Sequence, residues 1–118
     1  MIKDIKEKYE RFSDALILEI RYENLSDNRV VEVNMNCMNS KNDYEWETIK
    51  LIFNDILLFR FVENEKTSST SIFAALLKEE DGIMVFDFFP LIYEELELKE
   101  NENSDFIIKC RDVKYKVL

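Results

Sequence analysis

Carboxylates are the side chains whose number and spacing in this sequence could do chemistry. Glu79, Glu80 and Asp81 are consecutive, Glu94, Glu95 and Glu97 crowd together, and Glu100 and Glu102 follow closely. Three chemistries use such groups. A pair facing across a sugar-sized cleft cleaves glycosidic bonds. Several oxygens converging on one point hold a hard cation. An exposed surface of one sign steers an oppositely charged protein to its docking site. The first two need convergence that crowding along the chain does not supply, and the spacing of an EF-hand loop is absent. These eight residues are therefore the candidate partner-binding set. The sequence offers no catalytic residue, no metal ligand and no cofactor motif.

The charge balance points the same way. Sixteen basic and 25 acidic residues give a net charge of −9. From Glu79 to Asp105 there are ten acids and one base, Lys99, so this stretch alone carries −9 and the rest of the chain is balanced. Such a face either keeps a small protein soluble or attracts a basic partner. Nucleic acid is disfavoured, because phosphates require clustered Lys and Arg. The basic residues of the tail, Lys109, Arg111, Lys114 and Lys116, alternate with apolar positions and read as partners for neighbouring acidic strands.

Other chemistries are excluded by composition. Histidine is absent, which removes Ser–His and Cys–His nucleophile systems and imidazole proton transfer. Gly82 is the one glycine, and a phosphate-cradling loop needs several. Cys37 and Cys110 lie in alternating apolar runs and read as buried thiols.

The elements that must position these groups follow from periodicity. With 118 residues, 47% of them hydrophobic, residues 1–118 fit one domain. Ile2, Ile5, Tyr9 and Phe12 recur at helical spacing and predict a short amphipathic helix over 2–12. From Ala15 onward the period becomes two. Val31, Val33, Met35 and Cys37 alternate with Glu32, Asn34 and Asn36, a strand with one wet face. Ile49, Leu51 and Phe53 give another, and Asn54-Asp55 then switches the apolar parity. Residues 56–62 read as a run buried on both faces. Phe106, Ile108 and Cys110, then Arg111-Asp112, then Val113 and Tyr115 repeat that switch, so a bulge or tight bend is expected at both places. Glu80-Asp81-Gly82 reads as a hairpin turn, which favours strand over helix for 71–78. Residues 90–99 fit either strand or helix. The expected fold is mainly β with one short N-terminal helix (α+β), six to eight antiparallel strands forming a sandwich or partly closed barrel.

Residues 1–12 lack the apolar core of a secretory signal. No apolar run reaches the roughly 20 residues that span a bilayer. The expected location is the cytoplasm, with no membrane partner.

Phe12-Ser13-Asp14-Ala15 leading into the strand from Leu16 to Ile20, with the later Trp46-Glu-Thr-Ile-Lys-Leu-Ile-Phe-Asn-Asp-Ile56, resembles the first half of several small bacterial protein families. Some of those look like immunity proteins of polymorphic toxin systems. Ser13 departs from the His usual at that point of the pattern. The resemblance implies a non-enzymatic inhibitor that neutralises a basic toxin through an acidic surface. Two alternatives are a small-ligand-binding or enzymatic β-domain with an apolar pocket, and a structural accessory domain that dimerises through an edge strand.

Overall fold

The computed structural model describes residues 2–118. Helix α1 spans Ile2–Tyr9 and is followed by β1 (Leu16–Leu25), β2 (Asn28–Asn39), β3 (Glu45–Phe61), β4 (Leu76–Glu80), β5 (Ile83–Asp87), β6 (Leu91–Ile92), β7 (Leu98–Lys99) and β8 (Phe106–Val117). Six strands form one antiparallel sheet in the order β1-β2-β3-β8-β5-β4, while β6 and β7 pair separately. The fold is thus mostly β with one N-terminal helix, and the sheet does not close into a barrel.

Its shape is set by a crease. On β3 the residues of the core cluster run Ile49, Leu51, Phe53 and then Ile56; on β8 they run Phe106, Ile108, Cys110 and then Val113. The two parity switches lie side by side, because Asn54 is opposite Asp112 and Ile56 opposite Cys110. Asp55 adopts a left-handed backbone, φ 54°, which a short polar side chain tolerates. Asn28 fastens the crease by accepting from the Asp55 N–H at 2.7 Å. Asn54 donates to Asp112 at 3.3 Å, and Arg111 meets Asp55 at 3.5 Å. Both long strands bend together, so the sheet folds back on itself and its inner faces meet. The ring of Phe53 meets that of Phe86 edge-on at 4.9 Å, and Tyr22 on β1 stacks on Phe59 of the far half of β3 at 5.8 Å. One apolar cluster fills the space between.

The gap between the sheet's two edges is filled from outside the sheet. Residues 69–75 cross it: the Ile17 N–H donates to the Thr70 carbonyl, Ile72 to Ala15, and Ala75 to Arg11. Helix α1 closes the end with Ile2, Ile5 and Tyr9, and Phe12 is buried beyond it.

Several details differ from the sequence reading. The helix stops at Tyr9 because Glu10 and Phe12 turn to positive φ. Strand β1 bulges between Ile17 and Glu19, so Ile17 and Ile20 share the core side. Leu57 is the extra residue of a second bulge in β3. Leu57 and Leu58 are both exposed, so residues 56–62 are not buried on both faces. Only 76–80 of the 71–80 region is strand; residues 71–75 bond instead to the helix exit and the start of β1. Among the described residues no helix is long and apolar enough to cross a membrane.

Candidate partner-binding surface

The candidate acids lie on two hairpins and the connection after them. Glu79 and Glu80 end β4, and Asp81-Gly82 is the turn, with φ of 52° and 79°. Glycine fits the second of these positive values without strain. Glu94, Glu95 and Glu97 occupy the β6–β7 hairpin, and Glu100 and Glu102 follow it.

Residues 88–105 are pinned at their base. Asp87 is fully buried and its carboxylate accepts from the Phe89 N–H at 3.0 Å and the Asn101 N–H at 2.8 Å. The Asn101 side chain donates to the Phe89 carbonyl at 3.0 Å. Arg60 donates to the Glu102 and Ser104 carbonyls. Glu100 sits between Lys109 at 2.8 Å and Lys78 at 3.2 Å, and Lys78 also reaches Glu80 at 3.1 Å. The Lys109 ammonium, opposed by partial burial and reinforced by Lys78, holds the Glu100 carboxyl below its usual range. Lys78 is raised, chiefly by Glu80. Glu100 is therefore spent inside the molecule, and Glu80 partly so.

The tip is different. Glu94, Glu95 and Glu97 are exposed and make no ion pair among the described residues. Leu91, Ile92, Tyr93 and Leu96 are also exposed, Leu96 at 52%. The tip is shaped rather than loose. The Tyr93 N–H donates to the Glu97 backbone carbonyl at 2.8 Å, and Lys99 lies over the Tyr93 ring at 5.1 Å. Arg11 donates to the Leu96 carbonyl at 2.6 Å, tying the tip to the helix exit. Glu95 and Leu96 both take φ of 58°, a region costly for residues with a Cβ. Leu91, Ile92, Tyr93 and Leu96 put four large apolar side chains at the surface of one hairpin, and contiguous exposed apolar surface marks interaction sites.

Sequence reasoning marked the acids and missed the apolar half of this surface. Leu91, Ile92, Tyr93 and Leu96 lie in a stretch that fits either strand or helix, and either reading would turn apolar side chains toward a core.

A second polar cluster also escaped the sequence reading. Tyr9 donates to Glu47 at 2.6 Å, and Asn39 donates to the same oxygen at 3.2 Å. Tyr115 packs edge-on against Tyr9 at 5.8 Å with Lys8 over its ring. Burial and the Glu47 carboxylate raise the Tyr9 hydroxyl well above its ordinary value. The cluster staples helix α1 to the sheet. Burial pushes the Cys37 thiol up to about 12 and the Cys110 thiol up to about 11, so neither is a nucleophile near neutrality. Both cysteines are free and buried. No group of three or more metal-binding side chains converges among the described residues.

Compared with family models, with curated proteins and with solved structures, the chain matches none.

Proposed function

We propose that this chain is a protein-binding domain of the immunity type, which docks a basic protein through the β6–β7 hairpin and blocks it. The observation that supports this reading is the composition of the tip: exposed Leu91, Ile92, Tyr93 and Leu96 interleaved with unpaired Glu94, Glu95 and Glu97 on a pinned base. Apolar anchors supply the buried centre of an interface, and charges at its rim speed encounter. On this reading the chain carries no catalytic step. A small-ligand domain is the weaker alternative. A cleft of about 420 Å³ between α1 and β4 is lined by Ile2, Lys3, Lys6, Glu7, Lys78 and Glu79, whereas Phe53, Phe86, Phe88 and Phe106 pack on one another in the core.

The test uses the full chain to capture a partner from its source cell, then measures association with the purified partner at low and high salt. Glu94→Lys/Glu95→Lys/Glu97→Lys is expected to slow association roughly tenfold or more at low salt. Tyr93→Ala/Leu96→Ala is expected to speed dissociation by a similar factor. Rates unchanged in both variants sink the proposal.

A further inference from the structure

Strand β1 ends the sheet, and the direction of its free backbone groups can be worked out. The two-residue turn Ser26-Asp27 sets Leu25 opposite Asn28. In a two-residue hairpin the closing pair exchanges both backbone hydrogen bonds, and the pattern then alternates. Leu25, Glu23, Arg21 and Glu19 therefore turn N–H and C=O toward β2, and Ile20, Tyr22 and Asn24 turn theirs outward. The bulge before Glu19 reverses this parity, which fits the outward bonds made earlier in the chain by Ile17 to Thr70 and by Ala15 to Ile72. Beyond Ile17 the outward groups have no backbone partner among the described residues. The edge also carries apolar surface, with Leu18, Tyr22 and Leu25 all about half exposed. Edges of this length are normally covered or blocked.

The charges on this strand select an occupant. If a second β1 lies antiparallel with Tyr22 opposite its own copy, Ile20 faces Asn24, and Arg21 of each chain faces Glu23 of the other. Sliding by two residues one way sets Arg21 against Arg21 and Glu19 against Glu23. Sliding the other way sets Glu23 against Glu23. Opposite charges directly across a pair stabilise it and like charges oppose it. Three registers pair at least two of these outward residues on each strand, and of those only the one centred on Tyr22, which pairs all three, is free of like-charge contacts. Each Arg21 also lies beside Glu32 of its own β2, so the alternation of sign continues across the junction.

We propose that β1 is a self-recognition edge, and that two copies of this chain join there about a two-fold axis at Tyr22 into one continuous twelve-stranded sheet. This surface is separate from the β6–β7 tip, so the two readings stand or fall independently.

Sedimentation velocity from about 1 μM to about 1 mM tests it on the full chain. The wild type is expected to dimerise in that range. Glu23 faces Val30 within its own sheet and makes no ion pair among the described residues, so Glu23→Arg breaks none inside the chain. It is expected to weaken the dimer about tenfold or more by placing Arg opposite Arg21 at two places. Arg21→Glu is expected to do the same, and an equimolar mixture of the two variants is expected to regain association, because each restores the other's pairs. A wild type monomeric to about 1 mM overturns the proposal. So does a Glu23→Arg variant that dimerises like the wild type. Should Arg21→Glu fail to fold, amide exchange of the wild type decides. Protection of the Ile20, Tyr22 and Asn24 amides must rise with protein concentration while that of Arg21 and Glu23 stays constant, and equal rates at all concentrations reject the edge.

Discussion

The tip and the base of the 88–105 segment are built from the same residue type to opposite ends. At the base, Asp87 and Glu100 are enclosed, and every partner they hold belongs to the chain. At the tip, Glu94, Glu95 and Glu97 hold none and stand among exposed apolar side chains. Net charge per segment treats these groups alike. Their surroundings separate them: the first set supports the structure that presents the second.

Breaking the base should cost most. Asp87→Ala strands two partly buried backbone N–H groups and empties a fully buried site, and the expected loss is about 2–4 kcal/mol, measured by urea unfolding. The tip would then lose its platform, and any partner affinity would fall with the stability.

Glu100→Gln comes next. It removes a carboxylate held between two half-covered ammonium groups, and the expected loss at pH 7 is about 1 kcal/mol, smaller at high salt. Its pH dependence sharpens the comparison. Because the folded carboxyl titrates below its ordinary value, its contribution is complete above about pH 4.3 and fades as pH falls through the lowered value. The stability gap between wild type and Glu100→Gln should therefore close on acidification. A gap that stays constant to acid pH would mean the ion pairs contribute nothing.

The smallest effect per substitution is expected at the tip. Glu94→Lys/Glu95→Lys/Glu97→Lys should change stability by no more than roughly 0.5 kcal/mol per site, although it moves the segment's charge by six units. Loss of folding in that variant would erase the distinction between tip and base.

Much of the fold could be read from the sequence, because its signals are local. The alternation from Val31 to Cys37 is a strand with one buried face. Asp81-Gly82 makes the expected turn. The twin parity switches at Asn54-Asp55 and Arg111-Asp112 are real bends, and their matching spacing reflects their lying side by side. What could not be read depends on partners distant in the chain. Residues 71–75 read ambiguously because their alanines favour helix while the hairpin turn that follows favours strand, and their conformation is decided by bonds to Arg11 and Ala15. Bulges at Leu18 and Leu57 leave no local mark among surrounding leucines and isoleucines. For the candidate surface, the acids were visible in composition. That Glu100 is neutralised while Glu94 is free depends on Lys78 and Lys109 arriving from two other strands.

Strand β8 is the last of the eight in chain order and lies in the middle of the sheet, between β3 and β5. During synthesis, then, β1, β2 and the first half of β3 can assemble as they leave the ribosome, but the β4–β5 hairpin has no strand to dock on until residues 106–117 emerge. Leu77, Met84, Phe86 and Phe88 of the core wait in the open for that arrival. A chain with so many late, long-range pairings folds slowly, and its exposed interval on the ribosome is when aggregation or a chaperone would intervene.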